Sequence, residues 1–278
     1  MAKTGFIGCG HMGSALLEGM LEARVLAPAE VLVATRTRER LDPLLARRPG
    51  VEAAGDNASL AARCGRIFIC VGTYQVRAVL DEIGASLGPS CHLVVMSGGL
   101  EIGSVERIYG GPVTKILPTI LAKARRGTTL VCHGERVPEP HRLSLRALLE
   151  GIGSVEEIDE SLFDQASDFT SCAPGLIASL LDNYVRAGAA EGALGLEKAQ
   201  RLLLDCLGGT FELMRSEGLG LEELMRRVAT RGGATEGGIE VLDERLPEVF
   251  ADMLAAMRQR HETRKAATRA QFEEPARP

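Results

Sequence analysis

The stretch GFIGCGHMGSALLEGML, residues 5–21, decides the fold. An apolar, strand-like run ends at Gly8, and Gly8, Gly10 and Gly13 then make the spacing GxGxxG directly before a helix-like segment. The first glycine permits a tight turn, the second lets a pyrophosphate approach the backbone, and the third lets helix pack against strand. The helix start turns unpaired N–H groups towards the phosphates. His11 and Met12, beside this turn, fall in the cofactor's shell.

Working outward, TGFIGCG, EVLVATR, RIFICVG, CHLVVMS, PVTKILP and GTTLVCH read as strands, and helical stretches fall at 12–24, 37–48, 57–63, 74–87, 101–109 and 138–151. Strict alternation predicts α/β structure, a Rossmann-type doubly wound sheet with parallel pairing. After about residue 162 the strand signals stop. Residues 162–217 read as long helix with breaks at Gly192–Gly195 and Gly218–Gly220, followed by a final helix from about 245 to 265, so the second half is predicted to be all-α. The expected domains are 1–161 for nucleotide binding and 162–265 for helical pairing and substrate, with 266–278 a loose tail.

The second strand indicates the dinucleotide. NAD sites usually end it in Asp or Glu, whereas here Thr35 is followed by Arg36, Thr37 and Arg38, which suit a 2′-phosphate. NADPH is the predicted cofactor, with NADH possible. Val71 and Gly72 end one strand and Ser97 the next, small residues at the carboxyl ends that leave room for a nicotinamide ring.

Net charge is −5, from 37 acidic against 32 basic residues, which argues against nucleic acid as a partner. The N-terminus lacks a signal-peptide pattern and no run has the length of a membrane span, so a cytoplasmic protein without a membrane partner is expected. Seven cysteines with no CxxC pair fit reduced thiols. Five histidines form neither a metal pattern nor a triad, and no metal is expected.

A second glycine cluster lies in VATRGGATEGGIEVLDE, residues 228–244, with four glycines within seven positions. Helix interiors disfavour glycine by roughly 1 kcal/mol each relative to alanine. By itself the stretch is either an interhelical turn or a backbone anion clamp, in which the amides of Gly233, Ala234 and Thr235 hold a carboxylate, with Arg231 beside them. Glu236 is either a helix-start carboxylate or a device for recognising an amine. Ser171 and Cys172 sit in the turn into the first long helix, where a hydroxyl or thiol can meet a ring nitrogen; Cys172 is a catalytic candidate alongside Thr235, or simply a small packed thiol.

With these motifs in order, the chain resembles the pyrroline-5-carboxylate reductase family over nearly its whole length. GFIGCGHMG is similar to that family's GFIGAGNMG, and DFTSCAPGLIASLLDNYVRAGAAEGALGL to its ALSGSGPAY, helix and GVKLGL. VATRGGATEGGIEVLDE is similar to VTSPGGTTIAGLxxLE. The resemblance implies NADPH-dependent reduction of L-1-pyrroline-5-carboxylate to L-proline, and a Rossmann domain followed by a helical dimerisation domain in a homodimer or higher homo-oligomer. It assigns Gly8, Gly10 and Gly13 to the pyrophosphate, Asn57 to the ribose-phosphate end, and Gly233, Ala234 and Thr235 to the substrate carboxylate.

Several positions depart from the family pattern. VKP becomes VGT at Val71–Thr73, MPNTP becomes LPTIL at Leu117–Leu121, a serine becomes Cys172, an aromatic becomes Leu176, and SPGG becomes TRGG with Arg231. A paralogous reductase of another imine or keto acid, or a cofactor-binding regulatory protein, remains an alternative.

Overall fold

The computed structural model describes residues 3–190, 192 and 194–273, with Arg40 described by its backbone alone. Eight strands are described: β1 Lys3–Ile7, β2 Val31–Ala34, β3 Glu52–Ala53, β4 Cys64–Ile69, β5 His92–Met96, β6 Val113–Leu117, β7 Gly127–His133 and β8 Gly153–Glu157. They form one sheet in the order β3-β2-β1-β4-β5-β6-β7-β8. The switch in strand order falls between β1 and β4, where open α/β sheets bind ligands.

Both faces of the sheet are covered, so its strands are continuously apolar. Phe6, Phe68 and Val94 point into one core with Leu16, Leu17 and Met20 of helix α1 (His11–Glu22) and Leu145 and Leu149 of α6 (Glu139–Glu150). Ile7, Ile67, Ile69 and Leu93 point into the other, with Leu60 of α3 (Asn57–Ala61), Val76 and Leu80 of α4 (Val76–Ile83) and Val105 of α5 (Ile102–Glu106). Burial of each such side chain contributes about 1.5–3 kcal/mol.

The sheet is not wholly parallel, as the alternation predicts. β7 runs antiparallel to β6, because residues 118–126 hold only a short 3-10 turn, Ile120–Ala124. A parallel crossover needs a dozen residues or more. β8 pairs parallel to β7 through α6. Neither β3 nor β8 is predicted from the sequence; β3 is two residues long and β8, GSVEE, carries little apolar signal.

The helical stretch expected over 162–217 comprises α7 (Phe163–Phe169), α8 (Ala173–Ala190) and α9 (Leu196–Glu217), with α9 starting directly after the expected break at Gly192–Gly195; α10 (Leu221–Val228) follows the expected break at Gly218–Gly220, and α11 (Ala234–Glu273) comes last. The helix expected at 245–265 thus extends in both directions. The expected loose tail is helical through Glu273, and residues 274–278 lie outside the described residues.

The chain divides into two compact units, one within Met1–Ala173 and Gln259–Pro278, the other Pro174–Arg258. α7 packs into the nucleotide unit through the fully buried Phe163, so the compact sheet unit includes Phe163–Phe169. The end of α11 belongs to the same unit for a physical reason: His261 Nε2 lies 2.8 Å from Asp168, Lys265 pairs with Asp164 at 2.5 Å, Arg269 pairs with Glu101, and Phe272 is buried in the core.

The helical unit is built differently. Val185 is the one buried side chain among its described residues, while Ile177, Leu180 and Tyr184 of α8, Phe211 of α9 and Leu221 of α10 are exposed. A unit this poor in core cannot stabilise itself by burial alone.

Candidate active site

The parallel register aligns Ile7 with Ala34 and Ile69, and Ile69 with Val95, so β1, β2, β4 and β5 end together. At this edge the three motif glycines have distinct environments. Gly8 has φ +95°, and a Cβ there would lie 2.7 Å from the Cys70 carbonyl oxygen. A Cβ at Gly13 would lie 2.6 Å from the Gly8 carbonyl oxygen. Gly10 alone has nothing within 4 Å of its Cβ position, so its face is open to a ligand. No side chain caps the start of α1 and no acid occupies its first turn. Its first amides therefore retain their affinity for an anion. These residues fit a dinucleotide pyrophosphate, with exposed His11 and half-buried Met12 alongside.

Thr35 and the exposed Arg36 follow directly on β2, and no carboxylate pairs with Arg36 among the described residues. Asn57 opens α3, where its side-chain amide donates to Glu82 at 2.7 Å. At the ends of β4 and β5, the buried Ser97 donates to Thr73 Oγ1 at 3.0 Å, and the Gly72 amide donates to Gln75 at 3.2 Å. Val71, Gly72 and Ser97 thus lie at one edge. The Ser97–Thr73 bridge is not anticipated in the sequence; its only signal is a small hydroxyl residue at the end of each strand.

The cysteines of this edge are not reactive thiols. Burial raises both Cys9 and Cys70 above the ordinary thiol range. All seven cysteines are free. Ser171 and Cys172 belong to the nucleotide unit, in the turn between α7 and α8. The Cys172 amide donates to the Ser167 carbonyl at 3.0 Å, and the Ser171 hydroxyl to the same carbonyl at 3.4 Å.

In the helical unit, Arg231, Gly233, Ala234 and Thr235 form the turn into α11. Gly232 has φ +73°, which favours glycine. The Gly233 amide donates to the Thr230 carbonyl at 2.9 Å, so it is committed within the turn and is not part of an open anion clamp. The Gly232 amide donates to Glu236 Oε2 at 2.6 Å. Ala234 and Thr235, both exposed, remain as the first helical amides. A Cβ at Gly232, Gly237 or Gly238 would meet nothing within 4 Å, so these glycines do not serve close packing within the chain.

A cavity also lies elsewhere, at the opposite end of the sheet, lined by His133, Arg142, Glu157 and Leu162 among others. Its charged groups already pair with one another, Arg142 with Glu157 at 3.7 Å. The strand ends and the glycine turn after β1 are the candidate cofactor site of the nucleotide unit. Among the described residues no group of His, Cys, Asp and Glu could hold a metal ion, and no helix is long and apolar enough to cross a membrane.

Comparison with known proteins agrees with this division. Residues 160–264 match the family model described as pyrroline-5-carboxylate reductase dimerisation, and residues 3–95 that described as NADP oxidoreductase coenzyme F420-dependent. The chain is 30% identical to pyrroline-5-carboxylate reductase 3 of Bacillus subtilis, over 94% of this chain and 96% of that protein. In fold it is similar to a pyrroline-5-carboxylate reductase of Coxiella burnetii, with a TM-score of 0.84 at 22% identity over 95% of this chain and 98% of that one. The Plasmodium falciparum pyrroline carboxylate reductase with NADP bound gives a TM-score of 0.79 at 21% identity, over 98% of each chain. With both units matched in order and nearly the full length aligned, the chain belongs to the pyrroline-5-carboxylate reductase family, NAD(P)H-dependent oxidoreductases acting on a carbon–nitrogen double bond.

Proposed function

We propose that this chain reduces L-1-pyrroline-5-carboxylate to L-proline, using NADPH. The turn into α11 carries the reading: adjacent exposed amides at Ala234 and Thr235, with the Thr235 hydroxyl, are donors suited to a substrate carboxylate. Gly8, Gly10 and Gly13 hold the pyrophosphate, Thr35 and Arg36 the 2′-phosphate, and Val71, Gly72 and Ser97 border the ring. NADPH supplies the hydride. The chain's own groups supply position: a pyrroline nitrogen is basic enough to arrive partly protonated near neutral pH, so orienting the imine carries most of the catalysis. Cys172 and Ser171 stand near the ring nitrogen in this proposal, Cys172 as a small polarisable neighbour. The exposed apolar faces of the helical unit support a homodimer as the working form, open to further assembly.

Following absorbance as NADPH is mixed with L-1-pyrroline-5-carboxylate tests the proposal; no oxidation at high enzyme concentration removes it. Thr235→Ala is expected to raise KM about fivefold, the loss of roughly 1 kcal/mol of hydrogen bonding, with cofactor affinity unchanged. An unchanged KM places the carboxylate elsewhere. Leu176, where the family pattern has an aromatic residue, favours a second reading, reduction of a cyclic imine of another ring size. A panel of such imines distinguishes the two, and tight NADPH binding without turnover on any of them indicates a regulatory role.

A further inference from the structure

Glu236 stands where the family pattern carries an aliphatic residue, and the structure shows what the change brings. Its Oε2 accepts the Gly232 amide at 2.6 Å, which fixes the carboxylate at the open end of α11. Ala234, Thr235 and Glu236 are consecutive residues of the first turn, within about 3 Å of one another along the helix axis at ~1.5 Å rise per residue. A carboxylate offers about four acceptor positions, and the Gly232 amide uses one. No arginine or lysine pairs with Glu236 among the described residues. The open Cβ positions of Gly232, Gly237 and Gly238 leave its surroundings accessible. The site thus has anion donors and a fixed anion side by side, with the exposed Arg231 on the preceding turn.

A cyclic imino acid has the matching pattern. Its carboxylate and ring nitrogen are attached to one carbon, and the nitrogen is cationic when protonated. We propose that Glu236 pairs with the cationic ring nitrogen of a substrate whose carboxylate rests on the Ala234 and Thr235 amides, and so holds the imine in its reducible iminium form. This rests on the function proposed above. The balance is simple: a hydride adds to the iminium carbon, the C=N π pair becomes the nitrogen lone pair, the nitrogen keeps its proton, and NADPH is oxidised to NADP+.

The charged residues next along the chain are Arg231 on the turn and Glu240 one helical turn on; at the end of α10, Arg226 pairs with Glu223, and Arg227 with Glu217 at 2.5 Å. Carboxylates and guanidinium groups ordinarily titrate outside pH 6–9, and residues 174–258 contain no histidine. Only the part of a pH limb that differs between the wild type and a charge-removing variant of Glu236 reports this pairing.

Glu236→Gln keeps an acceptor for the Gly232 amide and removes only the charge. Equilibrium binding, by calorimetry at saturating NADP+, compares L-proline with tetrahydrofuran-2-carboxylate, which replaces the ring ammonium by oxygen. The wild type is expected to prefer L-proline, and the variant to lose about tenfold of that preference, equivalent to one pH unit of nitrogen stabilisation. In turnover, the alkaline limb of kcat, which reports the bound complex, moves down by about one pH unit. An unchanged binding preference with superimposable kcat profiles overturns the proposal while leaving the reductase intact. A wild type inactive on pyrroline-5-carboxylate overturns the function itself, and this inference with it.

Discussion

The two units solve the problem of stability in opposite ways. The nucleotide unit buries both faces of an eight-stranded sheet, with Leu17, Val33, Phe68 and Leu145 fully enclosed. The helical unit, of comparable helix content to many free-standing bundles, buries Val185 alone among its described residues. The difference shows where each site gets its rigidity. The glycine turn after β1 is held by its own core, whereas the turn into α11 belongs to a unit whose apolar faces need a second copy. The glycine turn after β1 is thus rigid within the single chain, whereas the proposed substrate turn depends on the helical unit's pairing.

The largest effect expected from breaking this contrast is in the helical unit. Leu180→Asp places a charge on the exposed apolar face of α8 shared by Ile177 and Tyr184. An unpaired charge in an interface costs about 3–5 kcal/mol, so sedimentation is expected to show the assembly dissociating, with Kd raised at least about a hundredfold and the nucleotide unit still folded. Retention of the full oligomer would place the interface on other faces.

Within the nucleotide unit, Gly13→Ala drives a Cβ to 2.6 Å from the Gly8 carbonyl oxygen. A loss of about 1–3 kcal/mol of stability is expected in denaturant titration. Gly10→Ala meets nothing within 4 Å, so it leaves stability unchanged and weakens NADPH binding alone. Arg36→Ala sharpens the cofactor assignment: loss of a charge-assisted bond of about 1.5–3 kcal/mol lowers NADPH affinity roughly tenfold to a hundredfold and leaves NADH affinity nearly unchanged. Equal losses for both cofactors would remove Arg36 from the 2′-phosphate.

A further effect is one of pH. His92 is fully buried on β5, with Thr114 Oγ1 2.7 Å away, and burial with the neighbouring Arg66 lowers its pKa to about 2. The unfolded chain binds this proton at about pH 6.5 and the folded chain does not. Stability is therefore complete above about pH 6.5 and falls as the pH drops towards 2, by up to about 1.4 kcal/mol per pH unit from this residue. Denaturation midpoints between pH 4 and 7 are expected to depend less on pH in His92→Gln.

The fold of the nucleotide unit is legible in the sequence because both faces of its strands are buried, which leaves β-branched runs and three glycines at fixed spacing. The reversal of β7 is legible only in the length of the connection, and β8 scarcely at all, since GSVEE pairs at the sheet edge with three of its five residues exposed. The return of α11 to the nucleotide unit escapes notice because it is made by ion pairs, Arg269 with Glu101 and Lys265 with Asp164, on a polar helix. At the candidate site the glycine positions could be read in advance. The commitment of the Gly233 amide to Thr230 and of Glu236 to Gly232 could not, because both depend on the backbone path of one turn.

The central claim is that this chain reduces an imine which it holds by a carboxylate. Comparing kcat/KM for L-1-pyrroline-5-carboxylate and for 1-pyrroline, which lacks the carboxylate, tests it most directly. The account predicts NADPH oxidation with both, at least about tenfold more efficient with the carboxylate, for a loss of one charge-assisted contact. Equal efficiencies, or turnover of 1-pyrroline alone, would contradict it.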